Sequence, residues 1–186
     1  MIYPEIITGL TVYMRSVIPD DAQATFEMRS DASKTKYMHA VSGTVEDQRN
    51  YIIGQQSRPG DYLFVVLDHS NRIIGMRGIY NVTEDSCDSG RTIGYGDAFQ
   101  NMEAIILGLD FAFEILGVKK VYMDAAADNQ SVRGIQIQLG AKEYKRGYIE
   151  GFDYENVSSV LKKEDYIKSR KKIMALIERH VQRMNK

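Results

Sequence analysis

The chain has 186 residues, 44% of them hydrophobic and 26% charged, which suits one globular domain with one sizeable core and excludes bulk disorder. Its single cysteine, Cys87, excludes an intramolecular disulfide, and with only three scattered histidines no metal centre is expected. The net charge of −1 hides a split: residues 162–186 carry nine Lys/Arg against three Asp/Glu, or +6, which leaves −7 on residues 1–161.

No apolar run approaches the roughly 18–20 residues of a membrane span. The first ten residues lack a basic segment and carry Glu5 inside their apolar stretch, so no secretory signal is expected. These features predict a reduced, cytoplasmic protein without a membrane partner. A basic end can signal nucleic-acid contact. The plainer expectation is a solvated helix face, and nucleic acid is not expected as a partner.

No repeat or linker interrupts the chain, and prolines 4, 19 and 59 sit at element boundaries. Residues 10–18 are rich in β-formers and predict a strand. Pro19-Asp20-Asp21 opens a helix that runs to Arg29. Thr44, with Asp47 three residues on, opens a second helix to about Gln56, ended by Arg58-Pro59-Gly60. Residues 61–67 and 73–82 predict a hairpin around a polar turn at 68–72. A second turn is expected over residues 84–90, then a strand over 91–95 with Gly94 and Gly96 marking a bulge or close backbone approach.

Ile105, Leu109, Ala112, Phe113 and Leu116 share one face of the clearest helix. Asp97 with Gln100 fits its N-cap and Gly117 its C-cap. Residues 120–125 predict a strand, 129–139 a helix closed by Gly140, and 141–148 and 151–161 two closing strands. A basic helix follows from Lys163 to about Met184, with a stripe at Ile173, Met174, Ile177, Val181 and Met184. The order predicts an α/β (α+β) fold with a mixed sheet, not a doubly wound parallel one. The expected division is a domain over 1–161 and a basic amphipathic helix over 162–186. Its stripe packs on its own domain or, alternatively, forms a homodimer interface.

Between residues 93 and 144 the chain resembles the GNAT acetyltransferases, in the branch of ribosomal-protein and amino-sugar acetyltransferases. The resemblance rests on Ile93-Gly94-Tyr95, Glu103-Ala104, Phe111-Ala112-Phe113-Glu114-x-Leu116-Gly117, Val121-Tyr122, Asn129 and Leu139-Gly140-Ala141, in this order. It implies a mixed, mostly antiparallel central sheet flanked by helices. It also implies acetyl transfer from acetyl-CoA, with no metal, to the amine of a small molecule or peptide by direct attack in a ternary complex. The pantetheine arm would lie between splayed strands around Ile93 and Tyr122, bonded to backbone groups from Ile93 through Tyr95 and Gly96. The diphosphate would sit on the amides of Phe99, Gln100, Asn101 and Met102, at a helix N-terminus. The loop departs from the usual Gln/Arg-x-x-Gly-x-Gly/Ala: after Gly96 it has no glycine and no basic residue. Asp97 either caps the helix in place of a phosphate site or turns aside for the diphosphate.

Asn129 aligns with the asparagine that binds the pantetheine or a catalytic water in the family; its alternative role is an N-cap. Gln136 stands where some relatives have a tyrosine acid; it can hydrogen-bond but cannot donate a proton as an acid, so it is expected to contact the cofactor. Tyr95 and His39 complete the candidate catalytic set with Asn129, His39 lying in the loop ahead of the acceptor cleft or simply solvated. Cys87, in a polar setting without a basic neighbour, is not expected to be a nucleophile. Tyrosines 37, 144, 148 and 154 are candidates to line the acceptor cleft. The alternative to an enzyme is a GNAT-like module that has lost catalysis and binds a partner.

Overall fold

The computed structural model describes residues 1–39, 41–151 and 153–184, so one position of the expected closing strand (Phe152) and the last two of the basic tail lie outside the described residues. An eight-stranded sheet forms the middle of the molecule. Its strands are β1 (Ile7–Thr8), β2 (Val12–Ser16), β3 (Tyr62–Asp68), β4 (Ile73–Tyr80), β5 (Ser86–Gly94), β6 (Lys120–Ala126), β7 (Lys142–Tyr148) and β8 (Glu155–Lys162). They lie in the order β1-β2-β3-β4-β5-β6-β8-β7. Every neighbouring pair is antiparallel except β5 and β6. The helices are α1 (Ala22–Ser30), α2 (Ala32–Thr35), α3 (Val45–Gln56), α4 (Ala98–Asp110), α5 (Gln130–Leu139) and α6 (Lys163–Met184). This is the expected mixed α/β architecture.

The sheet is apolar on both faces, which is why β3 reads as an unbroken hydrophobic run rather than an alternation. Leu63, Val65 and Leu67 point to α1 and α3 and pack with Val17, Ala22, Met28, Ile52, Met76 and Ile93. Phe64 and Val66 point the other way, into a core shared by α4, Leu139 of α5 and Tyr166, Ile173 and Ile177 of α6. Phe111 sits at its centre, edge-on to Tyr3, Tyr62 and Phe64 at centroid distances of 4.9–5.1 Å.

Four expectations need correction. The strand expected from residue 91 begins at Ser86, because Cys87 and Ser89 point inward and both neighbours supply the ladder. β1 and α2 were not expected at all; β1 is two residues held by Met14 and Tyr13 of β2. The opening of the first helix is a 3-10 turn over Pro19–Asp21, where Asp21 accepts from the Ile18 amide at 2.8 Å. The tail stripe is buried only at Ile173 and Ile177, and Met184 is 75% exposed.

α6 is anchored along α4 in antiparallel fashion. Buried Tyr166 donates to Asp110 Oδ1 at 2.7 Å, and Arg170 makes a two-pronged pair with the same carboxylate at 2.7 and 2.8 Å. Ser169 donates to the Leu139 carbonyl at the end of α5, at 2.6 Å. Gly140 closes α5 at φ +93°, a backbone conformation that favours glycine. Among the described residues, no helix is long and apolar enough to cross a membrane.

Candidate active site

β5 and β6 run parallel for three residue pairs, Ser86 with Lys120, Cys87 with Val121 and Asp88 with Tyr122. They then part. β5 continues to Gly94 against β4 alone, and β6 continues to Ala126 against β8 alone. The inner edges of residues 89–94 and 123–126 therefore face one another across an open wedge.

A bulge shapes the β5 side of the wedge. The β4–β5 register shifts between Met76 and Gly78, opposite Arg91 at φ +50°. Arg77 lies beneath it, 3% exposed, donating to Thr92 Oγ1 at 3.3 Å and Ser89 Oγ at 2.9 Å. Ile93 is buried in the α1–α3 core and presents only backbone to the wedge. Gly94 has no side chain because one there would run into Asn101 of α4.

The turn into α4 is closed by local bonds. Asp97 Oδ1 accepts from the amides of Phe99 (2.8 Å) and Gln100 (2.9 Å), and Gln100 Oε1 accepts from the Asp97 amide at 3.0 Å. The Asn101 amide donates to the Asp97 carbonyl, and Asn101 Nδ2 donates to the Gly96 carbonyl at 2.6 Å. Met102, fifth in the helix, is within reach of the regular i→i−4 ladder. Asp97 thus caps the helix, satisfying amides that helix ends otherwise leave open.

On the β6 side, Asn129 caps α5 by accepting from the Val132 amide at 3.2 Å. Gln136 is buried and donates to the Asp124 carbonyl of β6 at 3.4 Å. Residues 31–37 clasp the mouth of the wedge from both sides. Tyr95, at the end of β5, donates to Asp31 Oδ2 at 2.6 Å. Asp128, just after β6, accepts from Tyr37 at 2.9 Å and pairs with Lys36 at 3.4 Å. Tyr154 of the β7–β8 connection donates to the Tyr37 carbonyl and meets the Tyr37 ring edge-on at 5.5 Å.

The structure thus gathers Tyr95, Gly96 and residues 99–102 at one arm of the wedge and Asn129 and Gln136 at the other. His39 is exposed beside Gly151 in the β7–β8 turn. Tyr37 and Tyr154 face one another at the mouth. Tyr144 meets Tyr122 edge-on at 5.7 Å on the sheet, and Tyr148 is 78% exposed. Asp31 and Asp128 carried no signal in the sequence, because their partners stand 64 and 91 residues away.

Partial burial first, and the bond to Asp31 second, hold the Tyr95 phenol up at about 12, so it keeps its proton at neutral pH. Hydrogen bonds from Ser33 and Tyr95 lower the Asp31 carboxyl, and one from Tyr37, with Lys36 nearby, lowers that of Asp128. Burial pushes the Cys87 thiol up to about 12, the setting of an inert thiol rather than a nucleophile. Among the described residues, no group of three His, Cys, Asp or Glu side chains is placed to hold a metal ion. The wedge can therefore receive an extended chain edge-on, with a protonated phenol and paired carboxylates at its mouth.

Comparison with known proteins places this geometry. No curated protein sequence matches the chain significantly. Among solved structures, a nucleotide-linked sugar GNAT, FdhC, superposes with a TM-score of 0.78 at 20% identity, over 91% of this chain and 97% of that one. A GCN5-related N-acetyltransferase from Brucella melitensis gives 0.79 at 12% identity, over 94% and 86% of the two chains. A variant of the spermidine N-acetyltransferase SpeG from Vibrio cholerae gives 0.71 at 16%, over 84% and 96%. At these identities the likeness is one of fold. The family model described as "Acetyltransferase (GNAT) domain" matches residues 11–142, the span from β2 to the start of β7 that builds both arms of the wedge, so the chain belongs to the GNAT acetyltransferase family.

Proposed function

We propose that this chain is an acetyl-CoA-dependent N-acetyltransferase of the cytoplasm, acting on a primary amine by direct attack in a ternary complex. The parting of β5 and β6 after three residue pairs carries this proposal. The exposed strand edges suit an extended amide chain such as a pantetheine arm, which can pair with them as an added strand does. Backbone from Ile93 to Gly96 would line one side, and Asn129 and Gln136 the other. Acetyl-CoA, when bound, supplies the activated acetyl thioester. Tyr95 stands protonated at the mouth with its one hydroxyl proton on Asp31, and by turning from that carboxylate it would donate a hydrogen bond where charge develops. Residues 1–161 form the transferase domain in this reading, with 162–186 as a basic helix packed on it.

The acceptor is an amine on a small molecule, an amino sugar or a peptide N-terminus. Two of the similar structures bear the names of a nucleotide-linked sugar GNAT and a spermidine N-acetyltransferase, which favours the small molecules.

Calorimetry with acetyl-CoA should show saturable heat, and the ligand should raise the melting temperature. Neither effect at millimolar ligand would sink the enzyme and leave a binding module. Turnover with a panel of small amines and N-terminal peptides then identifies the acceptor. Tyr95→Phe is expected to slow transfer by about 10²-fold, with acetyl-CoA affinity unchanged. An unchanged rate would reduce Tyr95 to an anchor for Asp31.

A further inference from the structure

The open strand edges of the wedge suit an extended pantetheine arm in the reading above, but the first turn of α4 does not suit the diphosphate. Asp97 already occupies the Phe99 and Gln100 amides, and its carbonyl takes that of Asn101. Residues 93–105 hold no lysine, arginine or histidine, and the one charge nearest the turn is negative. An anion arriving there would have to displace a carboxylate from a well-formed cap.

Cations come close from another element. α6 runs antiparallel to α4, with Tyr166 on Ile106 and Asp110, Arg170 on Asp110, and His180 stacked flat on Phe99 at 3.9 Å between ring centroids. His180 is therefore level with the first turn of α4. At 1.5 Å of rise per residue, Arg183 stands about 4.5 Å further along the axis, past the start of that helix. Lys168, Lys172, Leu176, Arg179 and Arg183 follow one another at three- and four-residue steps, so they form one stripe on α6. Its first half is one wall of a groove whose other wall is Gln138, Gly140 and Lys142, at the end of α5. Its second half runs on toward the end of α6 that stacks on Phe99, where Arg179 Nε donates to the Ala175 carbonyl at 3.0 Å. Arg179 and Arg183 are exposed, and neither forms an ion pair among the described residues.

We propose that Arg179 and Arg183, at the end of α6, hold the phosphates of acetyl-CoA in place of the first turn of α4. The planar guanidinium fork matches phosphate oxygens two at a time and keeps its charge at any working pH. The basic tail, +6 over residues 162–186, then supplies what the loop after Gly96 lacks. This inference rests on the acetyl-CoA reading above.

The test compares acetyl-CoA with acetyl-pantetheine, which carries no diphosphate, by calorimetry on the full chain. The Arg179→Gln/Arg183→Gln double variant should weaken acetyl-CoA binding about tenfold and leave acetyl-pantetheine binding unchanged. Asp97→Asn preserves the cap and should shift acetyl-CoA affinity by less than about threefold. Three results would overturn the inference: undiminished acetyl-CoA binding by the double variant, equal loss of both ligands, or a tenfold tightening by Asp97→Asn, which puts the diphosphate on the α4 turn. A wild-type chain that binds neither ligand overturns the acetyl-CoA reading itself, and this inference with it.

Discussion

Glu103→Ala is expected to lower folding stability by about 3–5 kcal/mol, which at this chain length is a fall of roughly 6–20 °C in melting temperature. Glu103 is fully buried, and its carboxylate accepts from the amides of Leu10 (2.6 Å), Thr11 (2.6 Å) and Val12 (3.2 Å) as well as the Thr11 hydroxyl. One side chain of α4 thus satisfies the whole turn between β1 and β2. Alanine would leave four donors without their acceptor at once, and unmet donors cost more than a hydrogen bond contributes. Glutamine would keep one accepting oxygen but turn an NH2 group toward donors, so Glu103→Gln should fall between wild type and alanine. Gly9 belongs to the same arrangement: a side chain there would meet Glu103 Cδ at 2.7 Å and the Val12 carbonyl at 2.9 Å. A denaturant titration giving Glu103→Ala a loss below about 1 kcal/mol would show that water replaces the carboxylate.

Local chemistry made much of the frame legible in the sequence. Asp97 with Gln100 and Thr44 with Asp47 close as reciprocal caps, Asn129 caps α5 and Gly140 ends it, all between neighbours in the chain. The misses are features made by distant partners. Ser86, Asp88, Ser89 and Gly90 look like a turn in isolation, and only β4 and β6 on either side make them a strand. The clasp at residues 31–37 depends on Tyr95 and Asp128, which no local pattern connects to it. Arg77, inside the run Ile-Ile-Gly-Met-Arg-Gly-Ile-Tyr, gave no sign of where its charge would go. The stack of His180 on Phe99 is likewise invisible until α6 is laid along α4.

Arg77→Met is expected to leave stability unchanged or raise it by up to about 4 kcal/mol, and at the same time to weaken acetyl-CoA binding. Arg77 is charged and 3% exposed, its Nε has no partner, and no carboxylate pairs with it among the described residues. It is packed against Gly108 of α4, where any larger residue would collide with it. Burial lowers its pKa to about 10, so it remains protonated at neutral pH and the cost of the buried charge is present in full. The folded pKa lies below the unfolded one, so that cost fades only as the pH rises beyond about 10. The gain on Arg77→Met should therefore be flat between about pH 6 and 9. Methionine fills similar space without the charge, whereas Arg77→Ala opens a cavity and should destabilise by about 2–5 kcal/mol. What the arginine contributes is shape: its two bonds to Ser89 and Thr92 straddle the bulge at Arg91, where β5 turns away from β6. Losing both bonds frees the β5 arm of the wedge, so a more stable protein with a weaker ligand site is the predicted combination. Calorimetry beside thermal melts reads the two quantities separately. Undiminished acetyl-CoA affinity in Arg77→Met would mean that the bulge holds its form through the β4 ladder alone.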